Sequence, residues 1–259
     1  MADIEGETGG QPVTADGAIA EQAAELATEL TEAAGPAERR RLAGSLTAAA
    51  RSGARVTGRG VRAARRGVGA GTGWLAAQVM VMAPRLRVRD RAALQAQFPG
   101  MSTEDVADAL VEGASRASAA VGAAVGAWAV LPVPPAFPAE IAAETLALVG
   151  IEVKLVAELH EIYGVPATGN VVDRMTAYVS AWAHRRGVFM LPGGLVLAAG
   201  SPLVRRLRWR LAGRATRSAF SLGPLLTGAV AGAMLNRRET LRLGQDIRAD
   251  LRRRPLPGD

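Results

Sequence analysis

From Thr103 to Leu131 the chain runs without a proline, and after the hinge LPVPPAFP (131–138) it runs unbroken again from Ala139 to Val165. A proline fixes φ and removes a backbone donor, so such a cluster ends one helix and sets apart the next. Two long runs about one hinge imply a helical hairpin, and any fold must be built around it. Neither run alternates apolar and polar residues at strand period. Aromatics make up only 4% of the chain, and 30 glycines and many alanines supply the bulk. Small side chains let helices approach closely. The expected class is all-α, a compact bundle of long Ala/Gly-rich helices with helical hairpins, preceded by a disordered or loosely helical N-terminal region.

Other breaks divide the rest. Gly35-Pro36 closes a short acidic helix over 18–34, and Gly100 separates a helix at 90–97 from the long one, which Ser102 caps. Gly164 and Pro166 end the helix at 139–163. A helix over 170–185, an apolar segment (187–204), an Arg-rich connector (205–217), an apolar segment (218–236) and a polar helix (237–253) follow. The organisation read from this is an acidic, largely disordered tail (1–37), a basic Arg-rich segment with a short apolar stretch (38–88), a helical domain (89–254) and a tail (255–259).

The net charge of +7 conceals an asymmetry: residues 1–38 hold nine of the 24 acids and none of the 31 bases. Such a tail on a basic body either solubilises it or mimics an anionic partner. Thirteen arginines lie between 39 and 91, against one acid, Asp90. Arg51, Arg55, Arg59, Arg62 and Arg66 fall on one face of a helix. Gly53, Gly58 and Gly60 weaken that helix by about 1 kcal/mol each, so it is expected to order on a surface. Beside it stands WLAAQVMVMA (74–83), with Trp74 as an interfacial anchor. A basic stripe next to an apolar stretch suits a helix lying in an anionic bilayer surface. Nucleic-acid phosphates are the competing partner, without any recognisable reading module.

Uncharged windows at 67–83, 117–139, 187–204 and 218–236 are borderline in length for a membrane span, and the last three are broken by Pro132, Pro192, Pro202 and Pro224. Peripheral packing is expected, with shallow re-entrant insertion as the alternative. The start of the chain, Met1 to Glu7, has neither a basic region nor an apolar run, which makes the cytoplasm the expected address.

No chemistry announces itself. Cysteine is absent, which excludes disulfides and thiolate metal sites. His160-Glu161 begins H-E-x-x-H without a second histidine, and the only other histidine is His184. Neither a P-loop nor a nucleophile elbow occurs, so no catalytic, cofactor or metal site is expected. On the 139–163 helix, Glu140, Glu144, Lys154, Glu158 and Glu161 read as one solvated face. Glu152 instead points into the apolar arc with Leu148, Leu155, Val156 and Leu159. A carboxylate there requires a partner or a proton. Arg174 and His184 are the candidates, and the acid reads either as a structural ion pair or as a functional group.

The run 106–164 resembles the EcsC family. A helix rich in small residues (Ala119, Gly122, Gly126) leads to a Pro-rich link and then to a long helix. That helix carries an internal acid, Glu152, and closes at Tyr163-Gly164. The run SLGPLLTGAVAGAMLNRRETLRLGQDI (221–247) is similar to the family's C-terminal signature, with Gly228, Gly232 and Asn236. The resemblance covers about 103–250. It implies a bacterial, membrane- or transporter-related setting and no known activity. The expectation is a non-catalytic protein at the inner face of the cell membrane, with anionic phospholipid and a transporter subunit as partners.

Overall fold

The computed structural model describes residues 15–53, 68–128, 137–191, 194–197 and 224–253. Among these residues there are eight α-helices: α1 (Ala15–Glu32), α2 (Pro36–Gly53), α3 (Val68–Met82), α4 (Arg91–Gln97), α5 (Thr103–Trp128), α6 (Phe137–Ile162), α7 (Val171–Arg186) and α8 (Pro224–Leu251). A 3-10 turn, Ala83–Arg85, follows α3, and one antiparallel hairpin joins β1 (Val188–Leu191) to β2 (Gly194–Leu197). The class is all-α. The hairpin lies in the apolar segment 187–204, where strands of four residues are too short to show an alternation.

Local chemistry sets the helix ends. Ser102 Oγ accepts from Asp105 N at 3.2 Å and donates to the Asp105 carboxylate at 2.6 Å, a reciprocal cap for α5. At α7 Asn170 Oδ1 accepts from Asp173 N at 3.1 Å, and the Asp173 carboxylate accepts from Asn170 N at 3.2 Å. Helix α6 stops where Gly164 adopts φ +73, which lets Val165 N donate to His160 O at 3.0 Å. Pro224 opens α8, a position where its missing N–H costs nothing. The expected apolar segment 218–236 and polar helix 237–253 are thus one continuous helix from Pro224 onward.

Helix α6 is the axis of the bundle. Every residue from Leu146 to Ile162 is buried, and α6 touches all seven other helices. This overturns the solvated face read from the sequence: Glu144, Lys154, Glu158 and Glu161 are all buried. Lys154 pairs with Glu158 on α6 and with Glu32 of α1, Glu158 also with Arg89, and Glu161 with Arg174 of α7, so other elements supply the counter-charges instead of water.

The boundary expected near residue 89 separates nothing. Helix α1 buries Ala20, Ala23, Ala24, Ala27 and Leu30 in the same core as α5 and α6. The approach is close enough that a Cβ built on Gly150 would lie 2.8 Å from that of Ala27. Residues 15–32 are therefore core and not tail. Their exposed glutamates hid an alanine face of low hydrophobicity but good fit.

Pairings fix the helix directions. Glu104, Asp108, Val111, Ser118 and Gly122 of α5 meet Arg252, Arg248, Gly244, Thr240 and Gly232 of α8, so the two are antiparallel. Tyr163 reaches back to Glu104, which sets α6 antiparallel to α5. Ala27 against Gly150 and Glu32 against Lys154 align α1 with α6. One pole of the bundle thus carries Ala15, Trp128, Phe137 and Pro224; the other carries Glu32, Thr103, Ile162 and Leu251.

Among the described residues no helix is long and apolar enough to cross a membrane.

Candidate functional site

Three clusters of charge lie in or against the core. The first surrounds Glu152, at 3% exposure. Its Oε2 receives Trp182 Nε1 at 2.8 Å and Arg186 Nε at 2.9 Å, while Oε1 receives Arg186 Nη2 and Thr240 Oγ1, the latter at 3.1 Å. A carboxylate only accepts, so Thr240 spends its single proton there and takes one from Ser118 Oγ, 2.9 Å away. Arg186 also reaches Glu239 Oε2 at 3.3 Å, and Glu239 is shared with Arg242 on the surface. The internal acid of the sequence is thus a bidentate ion pair joining α6, α7 and α8.

The two partners expected from the sequence are not the ones found. Arg174 binds Glu161 instead, and His184 is exposed. Arg186 and Trp182 were missed, although a spacing of four on α7 puts an indole donor and a guanidinium on one face.

The second cluster centres on Lys154, the only lysine, with none of its side chain exposed. Nζ donates to Arg87 O and Glu158 Oε1, each at 2.5 Å, and lies 3.2 Å from Glu32 Oε1. Arg89 forks onto the same Glu158, with Nε to Oε1 at 2.8 Å and Nη2 to Oε2 at 2.6 Å. Two cations and two acids thereby close the seam between α1, α6 and the chain ahead of α4.

The third cluster caps the Thr103–Leu251 pole. Tyr163 Oη donates to Glu104 Oε1 at 2.7 Å, Arg248 Nη2 to Oε2 at 2.7 Å, and Arg252 grips both oxygens. These bonds, Arg252 first, hold the Glu104 carboxyl down at about 2. Burial lifts the Tyr163 phenol above its ordinary value.

Gly122, Gly232 and Asn236 are packing devices. Gly122 and Gly232 sit at the crossing of α5 and α8, where a Cβ on Gly122 would stand 2.4 Å from Gly232 O. Asn236, one turn on, is fully buried and donates from Nδ2 to Ser118 O at 3.2 Å. Gly126 and Gly228 lie in the same two helices, one turn nearer the hinge. Gly164 is the left-handed cap of α6.

The surface residues fare differently. Arg51 stands in the last turn of α2; Arg55, Arg59, Arg62 and Arg66 fall outside the described residues. Trp74 is half-buried on α3, with its indole nitrogen enclosed. Since α3 turns Ala76, Val79 and Met82 into the core, the stretch 74–83 is mostly consumed by folding and does not form a free interfacial stripe. Exposed apolar surface appears elsewhere, at Val230, Met234 and Leu235 of α8.

Both histidines line one cleft of about 330 Å³ with Arg185, Ile247, Asp250 and Leu251. Arg185 pairs with Asp250 across it. Among the described residues no three His, Asp or Glu are placed to hold a metal ion.

These features define an all-α protein whose axis is pinned by buried ion pairs. The chain matches no protein-family model, no curated protein and no solved structure.

Proposed function

We propose that this chain is a non-catalytic helical protein that docks reversibly on the anionic inner face of a bacterial cytoplasmic membrane, as an accessory to a transporter. One observation carries the reading: the arginines at the Thr103–Leu251 pole are matched with acids, whereas two stretches of the sequence, 54–67 and 198–223, hold arginines and no acid. At the Thr103–Leu251 pole, arginines are matched with acids of the same chain, as in Arg248 and Arg252 on Glu104. The Pro224 end of α8 follows directly on the sequence 198–223, which holds six arginines and no acid. Helix α2 is followed in the sequence by 54–67, with five arginines and no acid. Six acids of residues 1–25 (Asp3, Glu5, Glu7, Asp16, Glu21 and Glu25) stand against these eleven arginines.

Arginine near an anionic leaflet contributes about 1 kcal/mol each, so five or six suffice for reversible docking. The resemblance to the EcsC family supports the bacterial and transporter setting. Sedimentation with vesicles of phosphatidylglycerol and phosphatidylcholine tests the proposal. Binding in dilute buffer that is released by salt is the expected result. A chain that stays in the supernatant with these vesicles but shifts DNA in the same buffer would overturn it.

A further inference from the structure

We propose that the cleft between α6, α7 and α8 binds a small organic anion, with Arg185 and His184 holding the charged head and Ile247 and Leu251 packing against an apolar body. This binding is independent of the membrane docking above, so either can fail alone. The volume of about 330 Å³ stands at the lower end of small-molecule pockets, which span roughly 300–1,000 Å³. Buried His160, Ile247 and Leu251 make the floor of the cleft. Exposed His184 and Arg185 and half-buried Asp250 stand at its rim.

Charge selects the sign of the ligand. Arg185 is positive, and the two imidazoles are neutral or positive, never negative. The one acid of the lining, Asp250, is already claimed by two guanidiniums, Arg185 across the cleft and Arg253 at 2.6 Å. Asp246, one turn earlier on α8, does not line the cleft. Two arginines thus share one carboxylate, and one positive charge is left to be matched. An anion that enters takes Arg185 without stranding Asp250, which keeps Arg253. The exchange is easy, because the Arg185 and Asp250 side chains are 31% and 32% exposed and pairs so open to water are weak. A guanidinium fork suits a carboxylate or a phosphate, both of which it grips in bidentate form.

The floor is in place before a ligand arrives. His160 Nδ1 lies 2.7 Å from Val156 O, and a carbonyl only accepts, so this nitrogen carries a proton. The Tyr178 ring packs on the same imidazole, with centroids 5.3 Å apart. A site already shaped spends little of its affinity on ordering itself. No three His, Asp or Glu among the described residues converge for a metal ion, which leaves the imidazoles to shape the cleft and to hydrogen-bond.

His160 and His184 are the only histidines of the chain, so every imidazole signal in its proton NMR spectrum reports on this cleft. The full chain is titrated with benzoate, phenyl phosphate, inorganic phosphate and benzylamine at fixed pH and ionic strength. Benzoate or phenyl phosphate should move the signals of both histidines along one saturating curve, and the tighter of the two identifies the head group. Inorganic phosphate should bind roughly tenfold more weakly, because it leaves the apolar floor empty. Benzylamine should move neither histidine. Arg185→Gln should weaken binding of the organic anion by about tenfold or more, as loss of one charge-assisted contact implies, with Tm nearly unchanged. Arg116→Gln removes an equal charge from α5, where the side chain is 57% exposed, and should leave the affinity as it was. Signals that follow added chloride as closely as benzoate would overturn the site. So would tighter binding of benzylamine, equal affinity in Arg185→Gln, or silence of both histidines across the millimolar range. Inorganic phosphate as tight as phenyl phosphate would overturn the part given to Ile247 and Leu251.

Discussion

Gly122 and Gly232 face each other across antiparallel α5 and α8: a Cβ on either would stand 2.4 or 2.5 Å from the carbonyl oxygen of the other. The obstacle is backbone, which cannot rotate away as a side chain can. Gly122→Ala gains about 1 kcal/mol of helix propensity yet forces the helices apart, and overpacking costs about 1–3 kcal/mol. We expect a net loss in urea unfolding. Gly44→Ala on α2, with nothing within 4 Å of the new methyl, should instead stabilise by up to about 1 kcal/mol.

Glu152 and Arg186 bury a bidentate pair that also engages Trp182 and Thr240. Removing one partner strands the other in the core, at a cost of about 3–5 kcal/mol. Arg186→Met alone should therefore unfold the chain at markedly lower urea. Glu152→Leu combined with Arg186→Met should recover part of that loss. A double-mutant cycle in urea measures the coupling. Strictly additive losses would show that the two residues do not act as a pair.

What the sequence made legible, and what it did not, follows from periodicity. Prolines and glycines mark where helices stop, and the Ser102 cap and the Gly164 cap fall where composition placed them. The small residues at Gly122 and Gly232 correctly implied a close helix crossing. Partner choice was not legible. Glu152 was recognisable as a buried acid on its own helix, but which of several arginines meets it depends on how α7 is rotated against α6. The charged arc of α6 misled for a deeper reason. A row of Glu and Lys reads as solvated unless another element carries the complementary charges, and those sit on Glu32 and Arg89, each more than 60 residues away. Helix α1 hid in the same way, because an alanine face buries by fit and gives only a weak apolar signal.

Lys154 tests that hidden seam. Its Nζ keeps Glu158 and Arg87 O even when Glu32 is lost, and Glu32 is 39% exposed. Glu32→Gln should therefore cost at most about 1 kcal/mol, as exposed partners do. Lys154→Met should cost several times more, because Glu158 is left with Arg89 alone in a buried site. Thermal unfolding followed by circular dichroism separates the two.

Glu104 gives the fold an acid-side weakness. Its carboxyl is held at about 2, below its ordinary value of 4.5. The folded state thus binds this proton less readily than the unfolded chain. The stabilisation is complete above about pH 4.5 and is lost as pH falls toward 2. At 44% side-chain exposure the contribution is screened, about 1 kcal/mol or less, and weaker in salt. Glu104→Gln should flatten the fall in Tm between pH 4.5 and 2 while leaving the rest of the profile in place.

The proposed docking through the arginines of 54–67 and 198–223 makes a prediction that ordinary basicity does not. A protein attracted to lipid merely by net charge would respond alike to the loss of any arginine. A protein that docks through these two segments would not. Arg253→Gln, 74% exposed beside Asp250 at the Thr103–Leu251 pole, should leave vesicle affinity unchanged. Each of Arg55, Arg59, Arg62 and Arg66 changed to Gln should weaken it by about fivefold in dilute buffer, the equivalent of about 1 kcal/mol per arginine at an anionic surface. The same should hold for Arg205, Arg206, Arg208 and Arg210. Each loss should also reduce the dependence of affinity on salt, because fewer charges are then screened. Equal effects for Arg253 and for the arginines of the two segments would mean that orientation plays no part and that the bundle meets the surface at random.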